Sequence, residues 1–505
     1  MPFIDNRRIA KNTALLYIRM IILMAVTLYT SRVVLAVLGV DDYGIYSLIG
    51  GIIALFSFIS NALVSAMQRF FNVALGEQNQ EKYHRVYVMG VNLLILFSVF
   101  LLLVGETVGL WFVNNRLNIP EGRETAAFWV YQISIVTLIV HLLRTPDNAS
   151  IIAYERMGFY AYLSIGEALL KLGIVFLLQV FAFDKLLLYV ILYLVATILI
   201  NVAYKVYCNK MFADCRYNWL WDKKLFRELL SFSGWSLLSN GSRTITMQGE
   251  NIFLNQYYSV SVNAARGIAA QVYNAVNTFL TNFQTAFKPQ LTKSYAAGEM
   301  GNHYSLLYRS SKFSFYLLLV LVVPIIFNLD ALLGAWLVDV PLYTKEFCVF
   351  VLLAYLADAL ASPLGTSIAA NGNIRGLQIS IAVVFIIQLF ASFFALRAGW
   401  PPYIVSVFIL VSHTIHYIFY VYFCKKLCDL RLGEYFKQVI LPLIPICILA
   451  PTLPIYLQRF SSNIWLALGL CVVDVLWVLL FVWLLGMTKD ERRYIKDVIV
   501  KVVKR

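Results

Sequence analysis

The sequence predicts an all-α integral membrane protein of about fourteen transmembrane helices, arranged as two pseudo-symmetric six-helix lobes followed by two C-terminal helices. Three observations predict it. Hydrophobic residues make up 61% of the 505 and charged residues only 13%, whereas soluble domains are about 45–50% apolar. The apolar residues gather into runs of roughly 20, the length that crosses a bilayer. Segments of the first half recur in the second at nearly one offset.

The runs centre near Met24, Leu55, Leu96, Ser134, Leu170, Val195, Arg243, Val276, Leu317, Ala357, Phe385, Val411, Ile446 and Val475. The first follows a short basic segment, Met1 to Lys11, with no small-residue cleavage site, so it reads as a span rather than a signal peptide. A tight turn at Asp41-Asp42 and Tyr43-Gly44 is expected to separate it from the second. The 41 lysines and arginines test the count. Six fall in alternate loops on one side (Arg116, Arg123, Lys185, Lys345, Arg397, Arg459), five lie within helices (Arg19, Arg32, Lys171, Arg243, Arg266), and the other 30 fall on the opposite side. Basic residues favour the cytoplasm, so both termini are expected there. The net charge of +14 thus reflects topology and not nucleic-acid binding.

Ala74-Leu-Gly-Glu77, followed by Tyr83 and Tyr87, is echoed by Ala296-Ala-Gly-Glu299 with Tyr304 and Tyr308, an offset of 221 to 222. Pro146 to Ala153 matches Pro363 to Ala370 at 217. The expected organisation is an N-lobe over 1–215, a C-lobe over 216–427, two further helices over 428–486 and a tail over 487–505. Six is even, so the lobes enter the membrane in the same sense and substrate belongs between them. Lys210 to Glu228 is basic and aromatic, an interfacial linker. Thr488-Lys-Asp-Glu491 forms a capping box opening a basic amphipathic tail suited to the cytoplasmic leaflet.

The seventh and eighth helices are too polar for plain anchors. Asn240, Arg243, Thr244, Met247, Glu250 and Asn251 recur at three- and four-residue steps, as do Arg266, Tyr273, Asn277 and Gln284 on the next helix. Arg243 lies about 20 Å from either end of its helix at 1.5 Å per residue, where a charge costs at least a few kcal/mol and marks a functional or buried position. The two stripes describe either one wet cavity or buried ion bridges, Arg243 with Glu250 or Arg266 with a neighbour. Arg19 is either a cavity residue, sharing a face with Asn12 and Thr30, or a snorkelling one. Arg32 snorkels. Glu167 and Lys171, at i and i+4, read as a neutralised pair. Asp358 and Asp474 have no partner on their own helices; Asp358 is the candidate for proton or cation coupling, or else a buried hydrogen-bonded carboxyl.

Enzyme chemistry finds no support. There is no phosphate loop, zinc motif or nucleophile elbow, no cofactor signature, and no loop on the sparsely charged side large enough to fold. The seven cysteines lack metal or redox spacing and read as apolar fillers. His413 and His416 share a helix face without a third metal ligand.

The chain resembles the polysaccharide-transport branch of the multidrug/oligosaccharidyl-lipid/polysaccharide (MOP) exporters, the Wzx-type O-antigen flippases. The resemblance rests on Asn12 to Gly44, on Ile151-Ile-Ala-Tyr-Glu-Arg-Met157 with Tyr160 and Tyr162, and on the helix count. It implies a V-shaped transporter of the bacterial inner membrane that moves undecaprenyl-pyrophosphate-linked oligosaccharide to the outer leaflet by alternating access, with membrane lipids and a proton or sodium gradient as the other partners. Lipid II flippases of the superfamily line their cavity with arginines on the first, second and eighth helices. The matching helices here offer Arg19 and Arg266; the second, Gly44 to Gln68, has none, and Arg243 stands in. Guanidinium groups suit a pyrophosphate through bidentate bonds, and neutral side chains such as Asn240 and Asn277 suit the sugars. The alternative is an ion-coupled multidrug exporter of the same fold, which calls for a cavity dominated by carboxylates and aromatics.

Overall fold

The computed structural model describes residues 6–54, 57–111, 113, 122–180, 183–258, 260–337, 340–460, 463–489 and 491–493. Among them there is no strand. The helices are α1 (Asn6–Ala54), α2 (Ser57–Gly76), α3 (Gln80–Val104), α4 (Glu124–Leu143), α5 (Thr145–Ala153), α6 (Met157–Val180), α7 (Lys185–Met211), α8 (Lys223–Tyr257), α9 (Val260–Ala296), α10 (Met300–Phe327), α11 (Leu329–Trp336), α12 (Thr344–Asn371), α13 (Arg375–Arg397) and α14 (Ile404–Cys428). Two more follow, α15 (Leu432–Phe460), which contains a π-helical turn and a break at Ala450, and α16 (Ile464–Phe481), which ends in a π-helical turn at Gly486.

Ten helical segments among the described residues are long and apolar enough to cross a membrane. The expected spans missing from that set are the first, second, seventh and eighth, the same two positions in each of the two expected six-helix lobes. For α8 and α9 the cause is the polar stripe itself. In α1 only Asn12–Val26 stands out, as a shorter apolar stretch.

The expected turn at Asp41 to Gly44 does not form: α1 is helical without a break from Asn6 to Ala54. Val34, Leu38, Ile45 and Ile49 explain this, because steps of four, seven and four put them on one face only if the helix continues. That face is buried against Val130, Tyr131, Ile135, Val175, Leu178 and Val190. Asp42 needs no loop either, since Arg123 grips it with Nε at 2.8 Å and Nη2 at 2.7 Å. At 49 residues the helix is about 73 Å long, more than twice the hydrocarbon core. The side chains of Arg32 and Tyr43, residues 114–121 of the longest expected loop and the tail beyond 493 lie outside the described residues.

Two backbone turns recur at close to the expected offsets. Helices α2 and α9 end in the same turn: Gln78 N bonds Leu75 O and Asn79 N bonds Ala74 O, as Gly298 N bonds Tyr295 O and Glu299 N bonds Ser294 O. The left-handed residues are Gln78 (φ 54°) and Gly298 (φ 73°), so the structural register is 220, slightly short of the offset read from the letters. Gly76 therefore matches no cap glycine. It permits close approach, because a Cβ there would lie 2.5 Å from Lys293 O and 2.7 Å from Ala296 Cβ. Glu155 (φ 56°) and Gly372 (φ 98°) repeat the left-handed turn at 217, the second expected offset.

The chain forms two compact units, Met1–Asn240 with Thr292–Glu299, and Gly241–Leu291 with Met300–Arg505. In the first, the linker before α8 is pinned to α3 by Arg85–Asp222 (2.6 Å), Asn92 Nδ2 to Leu220 O (2.8 Å) and Tyr217 Oη to Asn92 Oδ1 (2.9 Å), leaving Trp219 and Trp221 exposed. In the second, Leu254, Ala265, Phe347, Leu396 and Val405 form one apolar core, and Val276, Leu280, Leu318, Val322 and Leu352 form another. The capping box closes as expected, Thr488 N to Glu491 Oε2 at 2.8 Å and Glu491 N to Thr488 Oγ1 at 3.3 Å. Lys312 Nζ, 2.8 Å from the same carboxylate, ties it to α10.

Candidate functional site

A cavity of about 500 Å³ opens inside the first unit, lined by Arg19 of α1, Arg144 between α4 and α5, Glu167 and Lys171 of α6, and the tyrosines 46, 160, 189 and 204. Glu167 is doubly engaged: Oε2 lies 3.0 Å from Arg144 Nη1 and Oε1 lies 2.9 Å from Lys171 Nζ. Each cation also meets an aromatic face: Arg19 over Tyr160 at 4.4 Å, Arg144 over Tyr204 at 5.1 Å and Lys171 over Tyr193 at 4.7 Å. Arg19 has no carboxylate within ion-pair distance among the described residues, and its buried Nε has no hydrogen-bond partner. Three cations against one carboxylate leave excess positive charge in a partly open cavity, where the protein walls make Coulomb interactions stronger than in water.

The spacing of Glu167 and Lys171 was legible, their pairing confirmed, and Arg144 was missed. Arg144 is among the 30 basic residues sorted to loops on the cytoplasmic side; the backbone instead keeps helical angles through it, φ −73° and ψ −18°, and continues with Pro146 in the first turn of α5. Arg144 is thereby held where it reaches α6.

In the second unit the two polar stripes divide into separate constellations. Glu250, fully buried, accepts from Arg266 Nη2 at 2.5 Å, Gln388 Nε2 at 2.8 Å and Ser392 Oγ at 3.0 Å. Arg266 also donates from Nη1 to Asn251 Oδ1 at 2.7 Å and Met247 O at 3.1 Å. Both oxygens of Glu250 and both terminal nitrogens of Arg266 are engaged, as suits a buried ion bridge. Arg243 takes no part in it. Its Nη2 donates to Tyr355 Oη at 3.1 Å, and Tyr355 stacks on Tyr273 with centroids 3.5 Å apart. Tyr355 also meets His413 edge-on at 4.8 Å. Asp358 Oδ1 lies 2.8 Å from His413 Nδ1, and His416 lies beyond, its ring centroid 5.7 Å from that of His413. Four helices, α8, α9, α12 and α14, thus bring Arg243, two tyrosines, Asp358 and the histidine pair into one chain of contacts. Of the remaining stripe residues, Asn240 closes the first unit's segment of α8 and Asn277 lies on α9 one turn beyond Tyr273, both half-buried. Gln284 Oε1 accepts from Ser362 Oγ at 2.8 Å.

No protein-family model matches the chain, nor does any curated protein. Solved structures do. A crystal structure of MATE in the straight conformation superposes with a TM-score of 0.65 at 12% identity, covering 84% of this chain and 96% of that one. The outward-facing conformation of a multidrug resistance MATE family transporter of the MOP superfamily gives 0.65 at 14%, covering 83% and 96%. A MOP superfamily transporter from Pyrococcus furiosus, for which reverse polarity of the binding pocket suggests a different function, gives 0.63 at 13%, also covering 83% and 96%. The chain is therefore a multi-pass, all-α membrane protein with the fold of the MATE transporters of the MOP superfamily.

Proposed function

We propose that this protein is a flippase that moves undecaprenyl-pyrophosphate-linked oligosaccharide from the cytoplasmic to the outer leaflet of the bacterial inner membrane by alternating access. The observation that carries the reading is the cavity of the first unit, where Arg19, Arg144 and Lys171 face a single, already neutralised Glu167. A pyrophosphate diester offers the opposite charge and the bidentate geometry guanidinium groups select. The surrounding tyrosines supply ring faces and hydroxyls for sugars. Arg243 is a second cationic contact for the substrate, whereas the geometry around Arg266 and Glu250 supports a packing role. Both termini face the cytoplasm, the two six-helix lobes span 1–215 and 216–427, and Asp358 with His413 is the place where a proton or sodium gradient is coupled to movement.

The second reading, an ion-coupled multidrug exporter, is favoured by the MATE fold. Cationic drugs, however, need uncompensated carboxylates, and the cavity leaves none. Reverse polarity of the binding pocket is also what suggests a different function for the Pyrococcus furiosus transporter of the MOP superfamily. Proteoliposomes carrying a fluorescent lipid-linked oligosaccharide test the choice. The expected result is protein-dependent flipping that falls at least tenfold in Arg19→Gln at equal abundance, with no movement of cationic dyes. Dye transport without oligosaccharide flipping would overturn the proposal.

A further inference from the structure

Near the midpoint of α16, Asp474 is 1% exposed and Asn328, at the junction of α10 and α11, is 2% exposed. Asn328 Nδ2 donates to Asp474 Oδ2 at 3.0 Å and to Pro324 O at 3.0 Å. The other oxygen of each side chain, Asp474 Oδ1 and Asn328 Oδ1, is buried without a hydrogen-bond partner. Two acceptors cannot satisfy each other, and each, buried and unpaired, has given up its bonds to water without replacement. An ionised carboxylate deep in a span costs more.

No compensating cation is at hand among the described residues. Along α10 the nearest ionisable groups are Tyr316, which donates to Gly486 O at 3.1 Å, and Lys312, which is paired with Glu491; Gly486 is about 18 Å along the helix from Asp474 at 1.5 Å per residue. On α11, Asp330 is exposed and paired with Lys345. On α15, Cys447, Tyr456 and Arg459 are exposed. On α16 itself, Cys471 is the neighbour, its Sγ 3.8 Å from Pro324 O.

One proton satisfies both orphaned oxygens. We propose that Asp474 is a proton-binding site: Asp474 Oδ1–H donates to Asn328 Oδ1 while Asn328 Nδ2 donates to Asp474 Oδ2, closing a cyclic acid–amide pair that joins α16 to the α10–α11 junction. A metal cation fits less well, since the site offers only these oxygens and Pro324 O, and hard cations take six or more ligands. Binding is a simple exchange, the O–H bond forming with a proton taken from water and breaking when it returns. Release removes the Oδ1–H donor and with it one of the pair's two hydrogen bonds, leaving only Asn328 Nδ2 on Asp474 Oδ2, so the second bond is present when the site is protonated and lost as the pH rises. This inference stands independently of the flippase reading.

Infrared spectroscopy on the full chain in lipid nanodiscs tests it. With aspartate labelled by carbon-13 at the side-chain carboxyl, the expected spectrum at neutral pH contains a protonated-carboxyl C=O band that carries the isotope shift and moves again in heavy water. That band disappears in Asp474→Asn, which preserves the cyclic pair as amide–amide, and shifts in Asn328→Leu, which removes the partner. If no labelled aspartate gives such a band in the wild type, the proposal fails without recourse to any variant. A band that persists unchanged in Asp474→Asn overturns it equally.

Discussion

Replacing Arg266 by Gln separates a structural ion bridge from a substrate ligand. The side chain gives up three contacts, to Glu250 Oε2, Asn251 Oδ1 and Met247 O. It also strands Glu250, a fully buried carboxylate, with only the neutral donors of Gln388 and Ser392. Breaking a buried pair from one side costs about 3–5 kcal/mol, most of it the uncompensated charge. Removing that charge as well, in Arg266→Gln with Glu250→Gln, leaves a neutral side chain that Gln388 and Ser392 still reach. The double variant should therefore lose only about 1–2 kcal/mol, the scale of one or two ordinary hydrogen bonds. Glu250→Gln alone strands Arg266 in the same way, so with about 3–5 kcal/mol for each single change the coupling energy of the cycle is at least about 4 kcal/mol in magnitude, well outside additivity. Arg266→Lys keeps the charge but not the planar fork that serves three acceptors, and should fall between. Arg243→Gln should gain nothing from Glu250→Gln, because Arg243 bonds Tyr355 instead. Equilibrium unfolding of the purified protein in detergent, with cellular abundance measured in parallel, reads all of these. A loss below about 1 kcal/mol in Arg266→Gln, or a double variant no better than the sum of the singles, would refute the reasoning.

Three further outcomes are expected. Arg123 hydrogen-bonds Asp184 and, with the N–H groups of Leu187 and Leu186, holds its carboxyl below the ordinary range; a depressed carboxyl stabilises above its unfolded value, so this contribution is present at neutral pH and lost as the pH falls through the folded value. Because the groups are partly exposed, Arg123→Gln should cost about 0.5–1 kcal/mol and flatten thermal stability between neutral and acid pH; an unchanged pH profile would contradict the link. Asp358→Asn should abolish the proton or sodium dependence of transport while substrate binding survives, and retention of gradient dependence would reduce Asp358 and His413 to packing. Cysteines placed at Asn114 and Asn463, in a background free of native thiols, should be labelled from outside whereas those at Lys223 and Lys426 are not; labelling at 223 would break the proposed topology.

Much of the architecture was legible because membrane insertion is a one-dimensional constraint. Apolar runs of about twenty residues are set by bilayer thickness, and the internal echo and the capping box at Thr488 are local patterns that the backbone reproduces. The polarity of α8 and α9 was equally plain, as was the i, i+4 pair of Glu167 and Lys171. The failures share one cause. Periodicity tells which side chains share a helix face but not which helix lies opposite. Hence the acid that Arg266 meets, the histidine beside Asp358, and the amide that faces Asp474 from 146 residues away were decided only by tertiary packing. Arg144 was sorted into a loop, and only the helical backbone that runs through it into α5 brings it to the cavity. Likewise, Asp41 to Gly44 carries the residues of a turn, yet a continuous apolar face from Val34 to Ile49 finds a buried surface to cover. The sequence by itself determined that this is a helical membrane protein with charge inside its spans; the tertiary structure decided which charges cancel and which, like Arg19, remain, because burial makes cancellation a matter of contact distance rather than composition.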